Sequence, residues 1–209
     1  MNINYILPGL IAGSSEMIIF HPIDTLSKII MNTKGTNTIK FSDFYIKNLY
    51  NGIFYSSIYR IPQRIYKFGI QLVILNKVNM YSDNIIFNSF LSGGITGASE
   101  ILLLPLDVIK VKAQTKTLNG GVINLLYYHK NFLSLGFKYG LIRGAIASST
   151  LFGTKSIIDN NEYEIYSRKI SKNEKNIFGS ILSGIFAVIM ASPFDVLKTR
   201  AQTETFKYN

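Results

Sequence analysis

Two stretches decide the fold: LPLDVIKVKAQ, residues 104–114, and SPFDVLKTRAQ, residues 192–202. Each carries Pro-x-Asp-x-x-Lys-x-(Lys/Arg)-x-Gln, and a looser copy, HPIDTLSK, stands at residues 21–28. An apolar run leads into every copy. Asn2 to Phe20 is broken only by Glu16, Ile85 to Leu106 only by Glu100, and Ile177 to Phe194 holds no charge. A bilayer core needs about 20 such residues in a helix. A soluble protein would use Ser-Pro-x-Asp to start a helix, with Asp near its positive end. That reading fits any one copy, but it does not explain apolar spans running into all three. The amphipathic segments Ile53 to Leu75 and Phe137 to Ile158 bring the expected spans to five. The fold class expected is therefore an all-α membrane protein.

Composition narrows the function. The 209 residues hold 22 Lys+Arg against 12 Asp+Glu, a net charge of +10, yet charged residues are 16% and hydrophobic ones 47%. A disordered chain would be poorer in apolar residues. Zero Cys excludes a disulfide framework, zinc fingers and thiol chemistry, and two His (His21, His129) argue against a His-rich metal site. No cofactor is expected. Nucleic acid would explain the charge alone, whereas the apolar runs point to a bilayer. No basic residue precedes the first run, so it reads as a first span rather than a cleavable signal.

A repeat underlies the motifs. Gly13 and Gly97, Gly52 and Gly136, and the pairs Phe68-Gly69 and Phe152-Gly153 are each 84 residues apart, and Pro22 and Pro105 are 83 apart. From second to third copy, Gly97 and Gly184 are 87 apart and Pro105 and Pro193 are 88 apart. Such self-similarity signals duplicated structural units: residues 1–84, 85–175 and an incomplete 176–209. A third Phe-Gly would fall beyond Asn209, so the sixth helix of a three-unit array is expected to be missing. Gly9-x-x-x-Gly13, Gly93-x-x-x-Gly97 and Ser180-x-x-x-Gly184 add small-residue faces of the kind on which membrane helices approach closely.

Loop charge supplies orientation. Lys34, Lys40, Asp43 and Lys47 give the first connection a net +2, and Lys112, Lys116 and Lys130 stand unopposed in the third. Lys77 and Asp83 balance in the second; Arg168, Lys169, Lys172 and Lys175 balance Asp159, Glu162, Glu164 and Glu174 in the fourth. This alternation is what a positive-inside bias requires of five crossings. In the second span, Arg60, Arg64 and Lys67 recur at i, i+4 and i+7, with Gln63 and Gln71 near that face. Three cations on one stripe cannot face lipid cheaply. Lining a wet cavity they would attract polyanions, because Arg holds phosphate oxygens bidentately. Snorkelling to a headgroup layer would explain Arg60 or Lys67 singly. No P-loop, catalytic carboxylate pair or Ser/His/Asp set is visible, so an enzyme is not expected.

The repeated motif after small-xxx-small helices resembles the mitochondrial carrier family (solute carrier family 25 type). The stretches FHPIDTLSK, RIPQRIYKFG, EILLLPLDVIKVKAQT and Arg143 to Gly153 are most similar to its fungal guanine-nucleotide (GTP/GDP) branch. The resemblance runs from about Gly9 to Gln202. It implies a multi-pass protein of the mitochondrial inner membrane, an antiporter exchanging anionic nucleotides by alternating access. It also implies a gate of ion pairs, Asp24 with Lys110, Asp107 with Lys198, and Asp195 with the first copy's lysine. Gln114 and Gln202 would brace that gate, Pro22, Pro105 and Pro193 would kink its helices, and substrate would meet Arg60, Arg64, Lys67, Arg143 and Gly144. The first copy departs from the pattern. Position six is Ser27 with Lys28 next to it, and Ile29 and Met31 replace the basic residue and the Gln. Ser-Lys here is shared with the guanine-nucleotide carriers, and the expected gate has two full pairs and one weak corner. The expected partners are the nucleotide, the bilayer with cardiolipin, and a second chain completing the bundle. A mis-predicted gene, or a relic without transport activity acting as a membrane assembly component, is the alternative.

Overall fold

The computed structural model describes residues 3–32, 45–118, 122, 135–160, 164–165, 168–169 and 171–203. The loop charges at Lys34, Lys40, Asp43, Lys130 and Glu162 lie outside the described residues. Helix α1 spans Ile3–Asn32, α2 Ile46–Leu49 and α3 Ile53–Val78. Next come α4 (Ile85–Ser99), a 3-10 turn (Glu100–Leu103) and α5 (Leu104–Gln114). Helix α6 spans Phe137–Asn160 and α7 Lys172–Thr203, with a two-residue antiparallel ribbon of β1 (Glu164–Ile165) and β2 (Arg168–Lys169) between them. Among the described residues the architecture is all-helical apart from this ribbon.

Local chemistry sets the helix ends. Asn84 caps α4 by accepting the Phe87 backbone N–H at 3.1 Å through its side-chain oxygen. Gly52 and Gly136 precede α3 and α6 with φ of 74° and 75°, a region that L side chains rarely enter. Both sit where a side chain has no room. A Cβ on Gly52 would lie 3.1 Å from the Gln114 backbone N, and one on Gly136 would lie 3.2 Å from Gln202 Cγ. Each of these glycines therefore packs against the motif end of the next unit's first helix.

The three motif prolines behave differently. Pro105 stands in the first turn of α5, directly after the 3-10 turn, so the third long helical segment is broken there. Pro22 lies inside the unbroken α1, and Pro193 inside the unbroken α7. The first turn of a helix tolerates a missing N–H, whereas the middle loses a hydrogen bond.

The interior is polar and the exterior oily. Fully buried side chains include His21, Thr25, Asn88, Thr96, Gln114, Ser148, Thr199 and Gln202, while the compact apolar cluster centres on Leu104 and Val108. Ile177, Phe178, Ile181, Ile185, Val188 and Ile189 of α7 are exposed, as are Ile18, Ile19 and Phe20 of α1. Water would reverse this arrangement, and a lipid exterior accounts for it. Among the described residues one helix, within Asn173–Thr203, is long and apolar enough to cross a bilayer by length and composition alone.

Helices α4 and α6 touch backbone to backbone. A Cβ on Gly97 would overlap the Gly144 carbonyl oxygen, and one on Gly144 would overlap that of Gly97. Gly93 meets the Ser148 carbonyl in the same way, at 2.6 Å. The matching small-residue face of α7 differs, because Gly184 has nothing within 4 Å among the described residues. The two sites give a paired test. In detergent micelles, Gly97→Val should lower the unfolding temperature, with overpacking costing about 1–3 kcal/mol or more. Gly184→Val should stay within about 0.5 kcal/mol of the parent. Equal losses at both positions would refute the contact described.

Candidate functional site

Three aspartates and five cations meet where α1, α3, α5, α6 and α7 converge. Lys110 Nζ of α5 lies 3.0 Å from Asp24 Oδ2 of α1, and Lys198 Nζ of α7 lies 2.7 Å from Asp107 Oδ2 of α5. Both motif glutamines reach these pairs. Gln114 Nε2 donates to Asp24 Oδ2 at 2.9 Å, and Gln202 Nε2 donates to Asp107 Oδ2 at 2.9 Å. The motif spacing explains the shape. Asp and Lys three apart share a helical face, so each helix offers an acid to one neighbour and a base to the other. Two carboxylates this deep would be costly unless paired and hydrogen-bonded.

The third corner is stronger than the sequence implied. Lys28 Nζ stands 3.5 Å from Asp195 Oδ1 and 3.3 Å from Thr199 Oγ1. Arg143 adds an ion pair, with Nε at 3.0 Å from Asp195 Oδ1 and Nη2 donating to Oδ2 at 3.2 Å. Lys28 therefore reaches Asp195 although position six holds Ser27; one residue along the helix, a long flexible side chain suffices. Met31 stands where the other copies have Gln. Its sulfur takes weak contacts from Lys28 and Thr199, and its backbone oxygen accepts from Arg200 Nε at 3.2 Å.

The second-span cations are held by carboxylates. Arg60 Nη2 lies 2.7 Å from Asp24 Oδ2, and Lys67 Nζ lies 3.1 Å from Glu100 Oε1. Arg64 is half-buried on the same helix. Glu100 also accepts from Gln63 Nε2 at 2.8 Å and from Ser148 Oγ at 3.4 Å. Gln71 continues the polar column, donating to Ser92 Oγ at 3.0 Å and accepting from Thr96 at 2.8 Å. Glu100 is a site residue that sequence reasoning passed over. Its signal was present, since it is the lone charge in the run from Ile85 to Leu106.

Beside the ring lies a narrow, half-open cleft whose lining includes Tyr59, Glu100, Asp107, Arg143, Gly144 and Lys198. Lys110 Nζ sits 5.4 Å from the centroid of the Tyr59 aromatic ring. Around the three aspartates stand five cations (Lys28, Arg60, Lys110, Arg143 and Lys198), a surplus of two positive charges. A half-enclosed site with low-dielectric walls focuses such a field and attracts anions. The arrangement can hold a polyanion and can close a passage with ion pairs. Among the described residues no cluster of His, Cys, Asp and Glu could hold a metal.

Comparison with known proteins follows from this geometry. An uncharacterized mitochondrial carrier of Schizosaccharomyces pombe is 31% identical over 223 residues, 93% of this chain and 74% of that protein. The mitochondrial GTP/GDP carrier protein 1 of Saccharomyces cerevisiae is 32% identical over 226 residues, 93% of this chain and 75% of that protein. A probable mitochondrial 2-oxodicarboxylate carrier of Schizosaccharomyces pombe is 26% identical over 216 residues, 93% of this chain and 72% of that protein. No family model matches the chain.

The ion pairs differ in redundancy, and this orders two substitutions. Lys110→Ala leaves Asp24 with Arg60, whereas Lys198→Ala leaves Asp107 with the neutral Gln202 amide. Breaking a buried pair costs about 3–5 kcal/mol when the remaining charge has no other counterion. Lys198→Ala should therefore lower the unfolding temperature more than Lys110→Ala. Adding Asp107→Asn should restore stability in the Lys198→Ala background. The reverse order would contradict the pairing described.

Proposed function

The chain belongs to the mitochondrial carrier family, multi-pass proteins of the mitochondrial inner membrane that transport rather than catalyse, and from this premise we propose that it exchanges anionic nucleotides, GTP for GDP first among them, by alternating opening of two gates. The observation that carries this reading is the surplus of two positive charges in a ring of ion pairs whose Asp107–Lys198 pair and Arg143 line the adjoining cleft. Asp24, Asp107, Lys110, Asp195 and Lys198 form the closed gate in this proposal, and Gln114 and Gln202 brace it. Arg60 and Arg143 are its phosphate-binding residues, with Arg64 beside them, and Gly144 lines the cleft while its missing side chain makes room for α4. The name of the yeast GTP/GDP carrier favours guanine nucleotides, and that of the 2-oxodicarboxylate carrier marks the competing substrate class.

The coupling follows from shared partners. A triphosphate entering the cavity offers more oxygens to Arg60 and Arg143 than Asp24 and Asp195 do. Once the arginines turn to phosphate, those aspartates keep only Lys110 and Lys28. A ligand moves a two-state equilibrium only through different affinity for the two states. Here the difference lies in the released carboxylates, which are free to let the gate part.

A second reading, a non-transporting membrane component completed by a partner chain, is favoured by the α7 face at Gly184, which nothing approaches within 4 Å among the described residues. Proteoliposomes loaded with GDP separate the two. Labelled GTP should enter and be lost again when unlabelled GDP is added outside. Arg143→Ala should cut the initial rate about tenfold or more, the scale of one charge-assisted contact. Entry of 2-oxodicarboxylates without entry of nucleotides would replace the substrate class. No exchange of either would leave the second reading standing.

A further inference from the structure

Glu100 presents more bonding than a structural ion pair requires. Its carboxylate lies at the 3-10 turn between α4 and α5, is 8% exposed, and lines the cavity that also holds Arg143 and Gly144. Lys67 at 3.1 Å supplies the counterion. Two neutral donors, the Gln63 amide at 2.8 Å and the Ser148 hydroxyl at 3.4 Å, occupy further lone pairs. Both come from rotatable side chains able to give way to an incoming donor. An ionised carboxylate accepts on both oxygens and donates on neither. It therefore pairs best with a planar group carrying two adjacent N–H donors.

The surroundings complete a nucleobase site. The same narrow cleft is lined by Tyr59, Ile101 and Leu104, faces for a flat ring once the ion-paired ring parts, and by Arg143 and Lys198 where phosphates can reach. Guanine shows adjacent N1–H and N2–H donors on one edge. Adenine shows a bare N1 acceptor beside its amino group, which would face the carboxylate's lone pairs. Hypoxanthine keeps N1–H and lacks the amino group.

We propose that Glu100, paired with Lys67, is the specificity-determining residue that reads the nucleobase, accepting N1–H and N2–H of guanine while the phosphates engage the arginines. This rests on the nucleotide reading above and names the base that the site selects. Lys67 becomes a positioning residue, holding the carboxylate in place, rather than a phosphate ligand. Gln63 and Ser148 hold the lone pairs when the site is empty.

Ligand-induced stabilisation of the purified protein in detergent tests the proposal with GTP, ITP and ATP. In the wild type the half-saturating concentration should rise about tenfold or more from GTP to ITP, the value of one hydrogen bond to a charged acceptor. ATP should be weaker still. In Glu100→Gln the difference between GTP and ITP should shrink to about threefold or less, since an amide oxygen is a neutral acceptor. Equal half-saturation by GTP and ITP in the wild type would overturn the base-reading role. So would an undiminished difference in Glu100→Gln, and where that variant does not survive purification, the wild-type comparison decides. If none of the three nucleotides stabilises the wild type, the nucleotide reading falls, and this proposal with it.

Discussion

Everything in this fold is arranged around charge that has been taken out of water. An ionised carboxylate at membrane depth costs several kcal/mol unless a cation and hydrogen bonds meet it. Three aspartates stand in that position, each on a different helical segment and each within 3.5 Å of a lysine on another. The pairing fixes the rotation of α1, α5 and α7, because a turn of any one would strand two charges. The buried threonines, asparagines and glutamines around them follow from the same demand.

Close backbone approach serves that demand. Without a hydrophobic force between helices in lipid, small residues and polar contacts must hold them together. Gly97 and Gly144 bring α4 and α6 into direct contact, which brings Ser148 to Glu100 on the neighbouring turn. Gly52 and Gly136 pack against Gln114 and Gln202, the residues whose side chains reach Asp24 and Asp107. The 3-10 turn before Pro105 presents Glu100 to the cavity on the same segment that sends Asp107 to the ring.

The parts of this arrangement that depend on spacing were legible in the sequence. Asp and Lys three apart on two copies of one motif put an acid and a base on one helical face, the family resemblance implied which helices they join, and small residues four apart marked the α4 face that meets α6. What depended on reach was not legible. Ser27 in place of a lysine suggested a weak corner, yet Lys28 spans to Asp195 and Arg143 joins it from another helix. The stripe of Arg60, Arg64 and Lys67 marked an inward face without revealing that Asp24 and Glu100 take two of those cations. Such contacts join residues far apart in sequence through long side chains, and a helical period carries no information about them. Ser180 and Gly184 show the converse: the spacing is present, and nothing described packs on Gly184.

The asymmetry of the ring bears on how it would open. Arg60 and Arg143 share Asp24 and Asp195, while Asp107 has Lys198 and Gln202. The two shared corners are those that tie α1 to its neighbours, Asp24 to Lys110 on α5 and Asp195 to Lys28 on α1. An anion that draws the arginines away therefore loosens α1 on both sides and leaves the α5–α7 corner closed. Met31 works in the same direction, since its thioether gives the α1–α7 seam no amide brace of the kind that Gln114 and Gln202 give the other two. A ring built this way does not part evenly. In the proposed cycle the α1 corners are the ones a bound anion would weaken, and the Asp107–Lys198 pair is the one it would leave intact.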